Sequence, residues 1–470
     1  MKNYTKVYIN GDWITPHGTG IQDVINPFTE ELALCVPRCD LVDVDNAVAA
    51  AKEAFKTWSQ TSAQYRSDLI DAIVAKMEER KEDLCQAAHI TMGCPAHLSG
   101  VIHVDGPIHG MSTYAKRAFL MEAEEEIGHS LVVKEAIGVC AVINPWNYPL
   151  HQLVGKLAPA LAAGCTVVAK PAGQTPLQDL IMAEILDEVG VPAGVFNVIT
   201  GSGATLGPAL SSHPDVDMVS FTGSNQAGIQ IAKEAAPTIK RVTQELGGKS
   251  PLIITADANL EEAMTFAIQD VMINTGQTCT ALSRMLVPHS IYDEAVATAI
   301  AVLEHFPVGD NEECMIGPMA SLSQKNTVLD FIATGIEEGA TLVAGGTDMP
   351  AGIDKGFYVQ PTIFANVNNQ MTIAREEIFG PVLCVIPYND IDEAIDIAND
   401  TPYGLSSGVF AKDRDSGLKI ARRIRAGLCF VNGAEFNYEA PFGGYKQSGN
   451  GREFGDEGLA EFVEVKSIQL

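Results

Sequence analysis

A strand–helix rhythm that starts near Ile137 and runs through the chain twice constrains this fold most. Val139–Ile143, residues 165–169, residues 194–199 and Met218–Thr222 are short apolar runs at similar intervals. Residues 176–189 and Asn225–Ala235 read as helical spacers between them. A second series opens at residues 251–255 and continues to about Gly427. Its strands include residues 284–287, 357–363 and 382–386. Its helices include residues 260–274, 292–305, 323–335 and Ile391–Asn399. Strands alternating with helices form right-handed βαβ units and a mostly parallel sheet. Ligands of such sheets sit beyond the carboxyl ends of the strands. The pattern predicts an α/β protein whose two α/β domains meet near Gly247-Gly248 and enclose a cleft.

Ahead of this rhythm lie two amphipathic helices. Residues 45–58 place Ala47, Val48, Ala51, Ala54, Phe55 and Trp58 on one face, with Asp43 or Asp45 as the cap. Residues 62–87 repeat the pattern through Leu69, Ile70, Ile73, Val74, Met77 and Leu84. Between this region and the first βα series, an acidic run, Glu124-Glu125-Glu126, precedes a strand-like stretch at residues 130–133. That excursion interrupts the first domain without extending it.

Charge and cysteine usage exclude several function classes. The formal net charge is −28, which gives no footprint for phosphate backbones or anionic membrane surfaces. The uncharged run at residues 157–169 is too short to span a bilayer. Residues 1–5 are polar and lead into Val7–Ile9, unlike a signal-peptide core. The ten Cys contain no C-x-x-C pair, so reduced thiols in a cytoplasmic protein are expected. His97, His103 and His109 recur six apart, which matches neither helical metal pairs nor zinc motifs. No metal is expected.

The turns after the strands carry the chemistry. Gly201, Gly203 and Gly207 follow a strand and open a helix with spacing G-x-G-x-x-x-G, one residue longer than the dinucleotide fingerprint. Phe221-Thr222-Gly223-Ser224 is a second such turn, where Ser224 can cap the next helix or donate to a phosphate. Gly248-Lys249-Ser250 looks like the tail of a P-loop, but the first glycine of that motif would fall at Thr243, so an NTPase is rejected. Cys279 lies in a Gly-containing loop after a helix, a setting that can expose and activate a thiol. Glu245 ends a strand beside glycines at the domain junction, where a carboxylate can act as a base for water.

These pieces stand in a familiar order. Pro145-Trp146-Asn147-Tyr148-Pro149, Lys170-Pro171, Phe221 to Ser224, Glu245 to Pro251, Gly276-Gln277-Thr278-Cys279, Glu377-Ile378-Phe379-Gly380-Pro381 and Pro441 to Lys446 resemble the motifs of NAD(P)-dependent aldehyde dehydrogenases. The resemblance spans essentially the whole chain. It implies a Rossmann-like cofactor domain at 1–113 and 137–246, and a catalytic α/β domain at 247–427. It further implies a small β oligomerisation element at 114–136 and 428–470, pairing subunits into a homodimer or homotetramer. Cys279 resembles the nucleophile, Asn147 an oxyanion donor and Glu245 the base for the hydrolytic water. Ile143, Pro145, Trp146, Lys170, Gly203, Gly207, Phe221, Thr222, Gly223, Ser224, Leu246, Gly247, Glu377 and Phe379 are implied to hold NAD or NADP. The chain departs from the family at Gly173, where NAD-preferring members commonly carry a Glu, so both coenzymes stay open. Tyr148, Gly155, Phe436 and Phe442 are implied to line an aromatic substrate tunnel, widened by Gly155. Glu435 and Glu439 flank it, which favours a cationic or bulky aromatic aldehyde over a semialdehyde bearing a carboxylate. A CoA-acylating relative and a non-catalytic protein on this scaffold are the alternatives. Retention of Glu245 favours water over CoA, and Cys279, Asn147 and Glu245 together favour catalysis.

Overall fold

A computed structural model describes residues 4–470; Met1, Lys2 and Asn3, the start of the polar lead, lie outside the described residues. The first βα series forms an eight-stranded sheet. Its order is Gly449–Asn450, Arg241–Glu245, Met218–Thr222, Val139–Ile143, Thr166–Lys170, Phe196–Val198, Val7–Ile9 and Asp12–Ile14, with the middle five strands parallel. The chain leaves Val139–Ile143 toward Thr166–Lys170 and Phe196–Val198, then returns to build Met218–Thr222 on the opposite side. Strand order therefore reverses between Val139–Ile143 and Met218–Thr222. A crevice opens at that point beyond the carboxyl ends of both strands. Pro145-Trp146 and Gly223-Ser224 are the turns that flank it.

The second series forms a seven-stranded sheet, in the order Thr341–Ala344, Thr362–Ala365, Val382–Tyr388, Arg284–Pro288, Pro251–Ile254, Gly408–Phe410 and Phe430–Val431. All neighbours are parallel except Thr341–Ala344 with Thr362–Ala365. Val463–Gln469, Ser130–Ala136 and Glu125–Ile127 make a separate antiparallel sheet. A hairpin of Gly20–Ile25 and Leu32–Arg38 pairs with none of the three sheets. No helix among the described residues is long and apolar enough to cross a membrane.

Several local expectations are corrected. The first helix is Leu41–Trp58, and its cap is Asp40, not Asp43 or Asp45. Asp43 instead sits at the third helical position and accepts from the Asp40 backbone N–H, completing a capping box. The second periodic stretch breaks at Arg80 into Ala63–Glu79 and Lys81–Met92. The guanidinium of Arg80 bonds Glu184 and Glu188 at 3.0 Å each, so tertiary ion pairs hold the break. Residues 357–363 are not one strand. Phe357 is tied to irregular backbone, donating to Pro27 O at 3.0 Å and accepting from Met319 N at 2.9 Å, and pairing begins only at Thr362.

One buried cation locks the second sheet. Arg284 is fully buried. It donates to Lys249 O (2.9 Å), Asn369 Oδ1 (2.8 Å), Ile397 O (3.0 Å) and Ala398 O (3.0 Å). The last two carbonyls belong to the final turn of Ile391–Asn399, where a helix favours positive charge. Arg284→Met leaves these acceptors buried without a donor. It is expected to destabilise the protein by about 3 kcal/mol or more, read as a lowered urea midpoint.

Candidate active site

The crevice at the strand reversal holds a cavity of ≈ 230 Å³. Among its lining residues are Pro145, Trp146, Asn147, Thr222, Gly223, Ser224, Glu245, Leu246, Gly247, Cys279, Glu377 and Phe379. Each arrives there for a local reason. Ser224 caps Asn225–Ala235 by accepting from Ala227 N, so the helix N-terminus points at the crevice. The Phe221 ring covers Gly223, where a Cβ would lie 2.5 Å from Phe221 Cζ. Trp146 and Phe379 meet edge to face at 5.3 Å from opposite sides. Glu377 accepts from Gly248 N at 3.0 Å. A Cβ at Gly247 would lie 2.1 Å from its Oε2, so only glycine lets the carboxylate in.

The loop of Cys279 is bent by three consecutive left-handed residues, Asn274, Thr275 and Gly276 (φ 51°, 56° and 71°). A Cβ at Gly276 would strike the Gly380 carbonyl at 2.1 Å, so the thiol-bearing loop is seated on the loop that carries Phe379. Polar contacts fix the rest. Asn147 Nδ2 donates to Gln277 O (2.9 Å), and Asn274 Nδ2 donates to Asn147 O (2.9 Å). The Gln277 side chain bridges Asn274 O and Ala320 N (2.9 Å each). Tyr148 and Thr278 share a hydroxyl contact of 2.8 Å. These bonds use one Asn147 amide proton and leave the second available.

Charge around the thiol is unusual. Burial raises the pKa of Cys279, and the carboxylates of Glu377, Glu245 and Glu453 raise it further. The loop alone therefore keeps the thiol protonated, contrary to the thiolate-stabilising setting expected from the sequence. Glu245 is buried with Oε2 unpartnered, and burial together with Glu453 pushes its pKa well above the usual carboxylate range. Burial also lifts Glu377 to about 7. Sequence reasoning missed the balancing pair: Lys156 and Glu453 meet at 2.8 Å, both buried. They lie far apart in the chain, and neither stands in a recognisable motif.

The remaining expected site residues are placed as follows. Lys170 and Ile143 end adjacent parallel strands in register. Burial lowers the pKa of Lys170 to about 8, and its Nζ lies 3.5 Å from where a Cβ of Gly203 would sit. Gly203 begins the helix Gly203–Ser212, and Gly207 lies buried within it. Lys170, Gly173, Gly203 and Gly207 are outside the cavity lining. Tyr148, Phe436 and Phe442 belong to one aromatic array. Phe436 stands 5.8 Å from Phe442 and 4.8 Å from Tyr438, and His151 6.3 Å from Tyr148 and 6.1 Å from Phe436. Tyr438 and His151 had carried no signal in the sequence. Burial lowers the pKa of His151 to about 3, which keeps its ring neutral.

Two tunnel expectations are corrected. Gly155 does not widen the space, because a Cβ there would lie 2.8 Å from Glu453 Oε2 and 3.4 Å from Phe454 Cζ. Glu439 does not face the aromatic array as a free carboxylate; Lys116 and Arg117 hold it at 2.8 Å each. Glu435 is exposed. His103 is buried against Tyr148 at 5.0 Å, while His97 and His109 are exposed. No group of residues able to hold a metal occurs among the described residues, and no disulfide joins any of the Cys among them. Gly155→Trp would drive the Glu453 carboxylate away from Lys156. It is expected to cost about 3 kcal/mol or more by stranding a buried charge, read as a lowered melting temperature.

Comparison with known proteins fits this arrangement. The aldehyde dehydrogenase family model matches residues 13–468. A 3-succinoylsemialdehyde-pyridine dehydrogenase of Pseudomonas is 46% identical over 473 residues, covering 100% of this chain and 99% of its own. A cysteine-to-alanine variant of aldehyde dehydrogenase C from Pseudomonas syringae, crystallised with NAD+ and octanal, superposes with a TM-score of 0.98. It is 44% identical and is matched over 99% of this chain and 97% of its own. The Mycobacterium tuberculosis aldehyde dehydrogenase crystallised with NAD+ gives 0.97 at 42% identity, over 100% and 98%. This chain therefore belongs to the aldehyde dehydrogenase family.

Proposed function

We propose that the protein oxidises an aldehyde to its carboxylic acid through a thioester on Cys279, with NAD(P)+ as hydride acceptor. The observation that carries this reading is the convergence of Cys279, Asn147 and Glu245 in the lining of one cavity that also includes Trp146, Glu377 and Phe379. The turn at Gly223-Ser224 suits a pyrophosphate, and Glu377 with Phe379 suits the nicotinamide riboside. When bound, the oxidised coenzyme supplies a hydride acceptor whose ring charge also offsets the carboxylates near the thiol.

The protein's own residues then act in sequence. Glu245 takes the Cys279 thiol proton and passes it to solvent, and Sγ forms a bond to the aldehyde carbon. The carbonyl electron pair moves to oxygen, where the free Asn147 N–H and the Cys279 backbone N–H receive the charge. The C–H bond pair leaves as hydride, and the C=O bond re-forms as a thioester. Glu245 takes a proton from water as its oxygen attacks the acyl carbon, and the C–S bond breaks to release the acid. The burial of Glu245 supports its role as this base, and its position next to the thiol favours water over CoA as the acceptor.

The aromatic array of Tyr148, His151, Phe436, Tyr438 and Phe442 supports an apolar or aromatic aldehyde; the ion-paired Glu439 removes the reason to favour a cationic one. We assign residues 1–113 and 137–246 to coenzyme binding, 247–427 to catalysis and 114–136 with 428–470 to a bridging element. Val463–Gln469 is an edge strand with Val465 and Ile468 exposed, which supports pairing between subunits.

Cys279→Ala should abolish aldehyde-dependent NAD(P)H formation while leaving coenzyme binding intact, as followed by absorbance and by fluorescence titration. Full activity of the variant would overturn the mechanism. Because Glu245 acts when ionised and its pKa is raised, the steady-state rate should fall as pH drops through values above the usual carboxylate range. Glu245→Gln should remove that acid limb and slow steady-state turnover by roughly 10²-fold or more, with the amplitude of the first burst of NAD(P)H largely kept. Stopped-flow traces across pH would show both.

A further inference from the structure

We propose that the Gln22 carboxamide stands at the adenosine 2′ position of the coenzyme groove in place of a side chain at residue 173, so that the protein binds NADP+ and NAD+ comparably. This rests on the coenzyme reading above and deepens it.

Gly173 lies on the loop that follows Lys170. A Cβ at Gly173 would sit 2.1 Å from Gln22 Nε2 and 2.8 Å from Gln22 Oε1. The space a side chain at 173 would use is therefore already filled by a residue from a different part of the chain. Gln22 is on the strand Gly20–Ile25 of the N-terminal hairpin. The partner strand Leu32–Arg38 is tied to the βα turn at Thr200. Thr200 Oγ1 donates to Pro37 O at 2.6 Å, and Cys39 N donates to Thr200 O at 2.8 Å. A Cβ at Gly201 would lie 3.4 Å from Cys39 N, and one at Gly203 would lie 3.5 Å from Lys170 Nζ. The hairpin thus forms a wall between the Lys170–Gly173 loop and the Gly201–Gly203 turn, at the adenosine end of the groove.

The chemistry of that wall is neutral to positive. The Gln22 carboxamide is half-buried and makes no hydrogen bond to another described residue. Its oxygen can accept from a 2′-hydroxyl, and its nitrogen can donate to a 2′-phosphate. A carboxylate could do only the first and would repel a phosphate. Gln22 pairs with Val36 and Gly20 with Arg38. Strand alternation therefore puts Arg38 on the same sheet face as Gln22. Arg38 is exposed and has no ion pair among the described residues. Asp23, the neighbouring carboxylate, points to the opposite face and accepts from Cys35 Sγ at 3.3 Å. Lys170 adds an ammonium that makes no ion pair among the described residues, although the buried Asp179 carboxyl acts on it electrostatically.

Isothermal titration with ADP-ribose and 2′-phospho-ADP-ribose tests this without turnover. The wild-type protein should bind the two with dissociation constants within about tenfold of each other. Gln22→Glu should weaken 2′-phospho-ADP-ribose by at least about tenfold while changing ADP-ribose by no more than about threefold, from like-charge repulsion at close range. Arg38→Ala should weaken only the phosphorylated ligand, severalfold. Wild-type protein that does not bind 2′-phospho-ADP-ribose overturns the proposal. A Gln22→Glu variant that weakens both ligands equally, or neither, also overturns it. Aldehyde-dependent reduction of either coenzyme is a separate measurement. Its absence with the binding pattern intact would remove the dehydrogenase reading and leave the 2′ assignment standing.

Discussion

Several carboxylates crowd one cavity beside a thiol, and much of the site is arranged to make that possible. Glu245, Glu377 and Glu453 all raise the pKa of the Cys279 thiol, so the resting site stores negative potential around a neutral thiol. Buried charge of one sign is costly unless it is paired, hydrogen-bonded or neutralised by protonation. Here all three answers are used. Glu453 has Lys156, Glu377 has the Gly248 amide, and Glu245 has a pKa driven upward. A positively charged ligand entering this cavity finds its counter-charge already in place, and the thiol loses part of its reason to stay protonated.

That arrangement explains the glycines around it better than flexibility does. Gly247 is needed because the Glu377 carboxylate occupies the space its Cβ would take, and Gly155 because Glu453 does the same. Gly276 permits a backbone-on-backbone contact with Gly380, which fixes the thiol loop relative to Phe379 and its Trp146 neighbour. Gly173 belongs to the same class, with Gln22 as the occupant. In each case the missing side chain marks a polar group that arrives from elsewhere.

Much of the architecture was legible in sequence because it is local. Val139–Ile143, Met218–Thr222, Pro251–Ile254 and Val382–Tyr388 are mainly apolar runs of four to seven residues, and the turn at Gly223-Ser224 follows one of them directly, while the Cys279 loop follows the helix Leu260–Met272. The strand reversal that makes the crevice is a matter of order, which alternating elements predict only in class. What stayed hidden depends on partners distant in the chain. The helix break at Arg80 answers to Glu184 and Glu188. The apolar stretch at residues 357–363 had strand-like composition, but composition cannot say where a neighbouring strand begins, and pairing starts only at Thr362 beside Val382.

Gly155 shows most clearly why an absence in sequence is ambiguous. Read alone, a glycine on a tunnel wall means added room; in the fold it means a neighbour's carboxylate. The difference lies in Glu453, nearly three hundred residues later, whose position depends on the antiparallel contact of Phe442 with Glu453 and on Lys156 one residue beyond Gly155. Volume removed from one segment has been spent on charge from another, and the same exchange at Gly173 replaces a possible anion by an amide. Where a family motif lacks its usual side chain, the informative question is which residue now fills the space and what charge it carries. For this chain the answers are the Glu453 carboxylate at Gly155 and the Gln22 carboxamide at Gly173.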